Sequence, residues 1–129
     1  MSRVLALDYG TKRIGVALSD ETKKIAFAKP YIPFSRRAEL VMMVAEDEVS
    51  QILLGMPKNL SGEETAAAGA VREFAAWLTE QTGLPITFID ERFTTKEILR
   101  ENQGNKEAKG MVDSLVAQRI LQNYLDNNV

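Results

Sequence analysis

The 129-residue chain contains no cysteine and no histidine. Without cysteine there is no disulfide framework, no thiol nucleophile and no thiolate metal site. Without histidine there is no Ser–His–Asp hydrolysis, no imidazole general base and no ordinary zinc site. Polar chemistry falls to carboxylates, lysine, tyrosine, hydroxyls or a metal held by carboxylates, and such oxygen ligands suit hard ions such as Mg²⁺ or Mn²⁺. A run of about 18 apolar residues, enough to span a membrane, is also missing. The stretch Met1–Asp8 meets a charge too early for a signal peptide, so a cytoplasmic location and no membrane partner are expected. Neither sign of charge dominates: 16 Lys and Arg stand against 18 Asp and Glu, a net −2. A polyanion would have to be met by a local patch, not by a bulk basic surface.

What is present is ordinary soluble-protein composition, 45% hydrophobic and 26% charged. The length argues for one domain over residues 1–129, large enough to bury about two-thirds of its extended surface. Val4–Leu7 is a short apolar run ending in Asp8, as a strand buried on both faces would be. The turn 9–12 leads into Ile14–Leu18, which implies an antiparallel hairpin. Ile25–Ile32 reads as a third strand, marked as a ragged edge by Pro30 and Pro33. Ser35 is the expected N-cap of a helix reaching about Glu48. Gln51–Leu54 reads as a fourth strand. The Ser61–Glu64 capping box is expected to start a helix burying Ala67, Val71, Phe74, Ala75 and Leu78, closed by Gly83 and Pro85. Ile86–Ile89 follows as a strand, Thr94–Glu101 as a short helix, 104–110 as a polar loop and Met111–Leu125 as the last helix. The order β-β-β-α-β-α-β-α predicts an α/β domain with a five-stranded mixed sheet.

Three acidic positions stand out. Asp8 ends a buried strand, where open α/β sheets bind ligands, although a turn-initiating Asp bonded to the Gly10 or Thr11 amides fits as well. Asp113 begins the last helix. At about 100° per residue, Val116, Ala117, Ile120 and Tyr124 fall within about 60° of it, so the acid lies on the packed stripe. Charges are rarely placed there without a partner or a metal, and favourable interaction with the helix N-terminus from its first turn is the competing account. Asp90 and Glu91 follow the fifth strand, and alternation does not say which faces the crevice. Three acids brought to one sheet edge would repel one another unless a divalent cation held them, and such a cation clamps phosphodiester oxygens. Lys12, Arg13, Lys58, Arg92 and Lys96 stand beside these acids in sequence and could grip phosphates. The turn Gly55-x-Pro57-x-Asn59-x-x-Gly62 offers a further phosphate seat, or simply a strand-to-helix loop.

Four segments resemble the YqgF/RuvX family: Leu7–Ala17 with Ser19-Asp20, Gly55–Gly62, Asp90–Thr95, and Val112–Leu115 running on through Ile120–Leu125. The resemblance implies an RNase H-like fold. It also implies a nuclease, one that matures the ends of pre-16S rRNA or resolves Holliday junctions. Carried onto this chain, Asp8, Glu91 and Asp113 would be the catalytic carboxylates holding Mg²⁺ or Mn²⁺, with Glu91 preferred to Asp90 by the resemblance alone. Lys12, Arg13, Lys58, Asn59 and Arg92 would meet the nucleic acid, either a structured rRNA precursor or branched DNA. Two departures are Val116, where the family often has Ala, and the loop before Asp113, which holds only Lys106 and Lys109 around Glu107 where a more basic run is usual.

Two other readings compete. Asp8-x-Gly10-Thr11 also resembles the phosphate-binding turn of actin-like and sugar-kinase ATPases, which bind nucleotide between two such domains where this chain has length for one. A binding module that docks on RNA or a partner without catalysis is the other. Paired cutting of a junction favours a dimer. Nothing in the sequence announces an interface, so a monomer or weak homodimer is expected.

Overall fold

A computed structural model describes residues 2–57, 65–90 and 112–127. Five strands form one mixed sheet: β1 (Arg3–Asp8), β2 (Arg13–Ser19), β3 (Ala26–Pro33), β4 (Val49–Met56) and β5 (Ile86–Asp90). Their spatial order is β3-β2-β1-β4-β5. β1 is central, antiparallel to β2 and parallel to β4, and β4 runs parallel to β5. The helices are α1 (Ala38–Glu46), α2 (Ala68–Thr82) and α3 (Val112–Asn127), with a short 3-10 turn at Phe34–Arg36. The expected α/β architecture with a five-stranded mixed sheet is observed.

Strand alternation divides the core. Leu5, Leu7, Ile14, Val16, Ile52 and Leu54 face Leu40 of α1 and Val71, Phe74 and Leu78 of α2. Val4, Ala6, Ala17 and Leu53 face Ala117, Leu121 and Leu125 of α3. Small side chains at Ala6, Ala17 and Ala117 let α3 lie close to the strands. Its C-terminal half is tied to β3: the Gln122 side-chain carbonyl accepts the Ala26 N–H at 2.9 Å, and the Gln118 amide donates to the Ala26 carbonyl at 3.3 Å.

β3 is the edge strand that Pro30 suggested. Its register against β2 slips between Ile14 and Val16, so that Pro30 and Tyr31 together oppose Gly15. A bulge accommodates proline because that residue cannot donate to the ladder. Two helix starts differ from expectation. Ser35 lies inside the 3-10 turn, and α1 begins after Arg37 with no side-chain cap. Pro33 sends the chain straight into that turn, which feeds α1 without a break and leaves no capping position for serine. The Ser61–Glu64 box lies outside the described residues, and α2 starts only at Ala68. Ala67 is therefore an exposed cap, and Ala68 takes the buried place expected of it. The predicted short helix at 94–101 and the loop 104–110 also lie outside the described residues.

Candidate metal and nucleic-acid site

Asp8 ends the central strand and is only 8% exposed. It shares the parity of Val4 and Ala6, so it lies on the α3 face of the sheet. Across the β1–β2 ladder its partner is Gly15. A side chain at Gly15 has no room. A Cβ there would lie 2.7 Å from the Ser114 amide nitrogen and would overlap the Asp113 carbonyl. The first turn of α3 therefore rests on the β2 backbone, one strand away from Asp8. Gly15 brings the Asp8 strand end and the Asp113 helix start to the same spot.

Two further contacts fix that approach. The Ser114 hydroxyl, wholly buried, accepts the Val16 N–H at 3.1 Å, at the place where the β2–β3 register slips. Arg13 Nε donates to Asp113 Oδ2 at 2.9 Å, and the same guanidinium lies 5.5 Å from the Tyr31 ring centre. Arg13 thus holds a carboxylate of the candidate site from the β2 side. Lys12 is exposed in the preceding turn, and its carbonyl accepts the Phe34 N–H at 2.9 Å. Gly10 makes that turn tight, since a Cβ there would overlap the Arg13 carbonyl oxygen.

The other expected residues are placed less fully. Asp90 is exposed at the end of β5 and lines a cavity with Ile120, Asn123 and Tyr124. Ile120 lies seven residues beyond Asp113, about 10 Å along the helix axis, so this cavity is not at the start of α3. Glu91, Lys58, Asn59, Arg92 and Lys96 lie outside the described residues. Among the described residues no three acidic side chains gather closely enough to hold a metal ion. Asp8 and Asp113 are the two acids whose backbones both adjoin Gly15, one by strand pairing and one by direct contact.

Gly15 and Ser114 seat the start of α3 on the sheet, and sequence reasoning passed over both. Both left a signal. A glycine between Ile14 and Val16 in an otherwise β-branched run marks close backbone approach. Ser114, Ala117 and Leu121 share one helix stripe, and a small polar residue in a packed stripe marks a backbone group to be met.

The donor set fits a hard divalent cation: carboxylate oxygens, one of them buried at a strand end, in a chain without histidine or cysteine. Among the described residues no helix is long and apolar enough to cross a membrane.

Known proteins bear on the same features. The chain is 38% identical over 132 residues to a protein of Koribacter versatilis named "Putative pre-16S rRNA nuclease", covering 96% of this chain and 86% of that one. A protein of the same name from Desulfitobacterium hafniense is 38% identical over 130 residues, covering 96% and 92%. Among solved structures, Thermus thermophilus RuvC in complex with a Holliday junction substrate superposes with a TM-score of 0.61 at 13% identity, covering 98% of this chain and 95% of that one. That likeness shows the RNase H-like fold. The family model RuvX, described as Holliday junction resolvase, matches residues 2–127, and the chain belongs to this family.

Proposed function

We propose that this protein is a divalent-metal-dependent nuclease that hydrolyses phosphodiester bonds, with the ends of pre-16S rRNA as its substrate and residues 1–129 as one nuclease domain. The observation that carries the reading is the convergence at Gly15. A buried aspartate at the end of the central strand and an aspartate in the first turn of α3 are brought together by backbone contact. Relatives at 38% identity over nearly the whole chain, named for this rRNA activity, supply the substrate class.

Asp8 and Asp113 would hold Mg²⁺ or Mn²⁺, with Glu91 carried over from the family resemblance as the third carboxylate. When bound, such a cation lowers the pKa of water and offsets charge on the phosphoryl oxygens. The chain's own residues supply the rest. The sheet keeps Asp8 out of bulk solvent, where its charge acts strongly on whatever enters. Arg13 orients Asp113 through Oδ2. Lys12, exposed at the rim, attracts the phosphate backbone, and Lys58, Asn59 and Arg92 are proposed to extend that grip. A cytoplasmic monomer or weak homodimer completes the reading.

The family description favours a second substrate, the four-way DNA junction. One experiment separates the two. Wild type and Asp8→Asn are assayed on a structured precursor rRNA fragment and on a four-way DNA junction, each with Mg²⁺, Mn²⁺ or EDTA. Metal-dependent cutting of the RNA, reduced more than about 100-fold in the variant, is the expected result; even outer-shell partners of a metal are worth 10–100-fold. Cutting of the junction alone transfers the assignment to DNA. RNA binding with no cutting of either substrate, in wild type at every metal, overturns the nuclease in favour of a binding module.

A further inference from the structure

On the sheet face opposite α3, the residue after Asp8 opens a second feature. Tyr9 packs its ring against Phe34 and Phe74, with ring centres 5.8 and 5.2 Å apart. Phe74 stacks with Trp77 at 6.0 Å and 19° between planes. Arg37 lays its guanidinium 4.5 Å from the Phe34 ring centre and 5.3 Å from that of Trp77. These side chains and Glu73 line an open cavity of about 180 Å³.

We infer that this cavity receives an unpaired nucleobase of the nucleic-acid strand next to the position of cleavage, an inference that rests on the nuclease reading above. Three observations carry it. The walls are flat and aromatic, and aromatic rings and arginine planes are the surfaces on which unstacked bases settle. Arg37 is a half-buried cation with no carboxylate partner among the described residues; the one hydrogen bond of its guanidinium there is donation to the Phe34 carbonyl at 3.3 Å. That leaves its charge available to a polyanion. Two of its wall residues also connect to the basic turn of the candidate site. Tyr9 adjoins Asp8 in the chain, and the Phe34 amide is bonded to the Lys12 carbonyl. A strand whose phosphates run over Lys12 and Arg13 passes the mouth of the cavity. A base locked in a duplex cannot enter, so the substrate class is a strand with unpaired bases beside the cut.

Trp77 is the chain's single tryptophan, so selectively excited emission reads this cavity alone. The test titrates the full chain, with Ca²⁺ as the divalent cation, against a short fluorescein-labelled single-stranded RNA and an abasic strand of the same length. Label anisotropy reports binding and Trp77 emission reports stacking. The expected result is that both strands bind and only the base-bearing one quenches Trp77. Arg37→Ala, checked for native circular dichroism, should weaken binding of the base-bearing strand about tenfold, the low end of one base-stacking contact, and spare the abasic strand. Phe34→Leu, which keeps bulk and removes a ring face, should weaken it in the same selective way.

Binding of both strands with unmoved Trp77 emission, or equal quenching by both, overturns the base cavity and leaves the nuclease reading standing. Equal loss for both strands in Arg37→Ala makes Arg37 a phosphate contact and likewise removes the cavity. No anisotropy change with either strand overturns the nucleic-acid reading itself, and the cavity with it.

Discussion

Gly15 and Asp113, ninety-eight positions apart in the chain, touch through their backbones, and the contact leaves no space for even a methyl group on β2. The strand bearing Gly15 pairs it with Asp8 on its other side. One residue without a side chain thus adjoins the backbones that carry both aspartates of the candidate site, and this geometry makes several outcomes measurable.

Gly15→Ala must either push α3 off the sheet or distort β2. Overpacking in a close-packed core costs about 1–3 kcal/mol when side chains can yield. Here the obstacle is backbone, so the loss should reach or pass about 3 kcal/mol on that scale. Urea denaturation measures it, and nuclease activity should fall further than stability because Asp113 moves with the helix. A variant as stable and as active as wild type would show that α3 does not rest on Gly15.

Ser114→Ala removes the acceptor of the buried Val16 N–H and changes nothing at the surface. Leaving a buried donor unmet costs about 1–3 kcal/mol. Hydrogen exchange should speed up at Val16 more than at Ala6 or Leu53 in the neighbouring strands. Uniform acceleration across the sheet would instead indicate a general loss of stability unrelated to this bond.

Arg13→Ala separates stability from positioning. The Arg13–Asp113 pair is partly exposed, 43% and 31% at the two side chains, and such pairs contribute at most about 1 kcal/mol. The melting temperature should therefore barely change while cleavage drops. Arg13→Lys should not restore it, because an ammonium lacks the planar fork that bonds Asp113 and lies against Tyr31. Full rescue by lysine would reduce Arg13 to a simple phosphate charge.

Much of this was legible in the sequence because it rests on local periodicity. The Val4–Asp8 run, the hairpin, the proline-marked β3 and the stripe Val116, Ala117, Ile120 all became elements where their patterns placed them. What the pattern did not carry is approach between elements. Asp113 was read as lying on a packed stripe, but only the α3–β2 contact shows that Gly15 seats it and that Arg13 holds it. Which element Asp8 faces likewise needed the structure, because alternation gives its parity and only the packing shows that α3 covers that side of the sheet. Ser35 misled for a related reason. A capping residue is recognised by its neighbours in sequence, whereas the 3-10 turn that starts α1 comes from Pro33 and the Phe34–Lys12 bond to the turn before β2.

Asp20 gives a prediction on pH. Its carboxylate accepts the Lys24 and Ile25 N–H groups at 2.8 and 2.9 Å and the Thr22 hydroxyl, building the turn between β2 and β3. The Ile25 amide first, then Thr22 and Lys24, hold its pKa well below the ordinary carboxylate range. A depressed folded-state pKa contributes stability that is present above the unfolded value, about 3.9. That contribution is lost as pH falls through the lower folded value. Carboxyl-carbon NMR should show Asp20 still ionised below the pH at which an aspartate of the unfolded chain titrates. Asp20→Asn should keep the turn through its remaining oxygen and Asp20→Ala should loosen it, read as faster exchange at the Lys24 and Ile25 amides. Asp20 titrating in the ordinary carboxylate range would show that the turn does not form this way.

The last prediction concerns the cation itself. A ligand that binds only the folded protein raises its stability by RT ln(1 + [L]/Kd), about 2.7 kcal/mol at a hundredfold excess over Kd. Mn²⁺ and Mg²⁺ should therefore raise the melting temperature of the wild type, and Ca²⁺, which accepts the same oxygen donors, should do so as well. Neutralising either acid should abolish the rise. In Asp8→Asn the lost charge is the buried one, so the metal-free variant should be at least as stable as wild type if repulsion between Asp8 and Asp113 outweighs the lost hydrogen bonding. Asp113→Asn also releases Arg13 from its partner, so only this variant should change the salt dependence of RNA binding, as one more cation becomes free to meet phosphate. A metal-induced rise that survives in both variants would place the cation elsewhere in the molecule, and Asp8 and Asp113 would then be acids that the fold brings together for some purpose other than holding it.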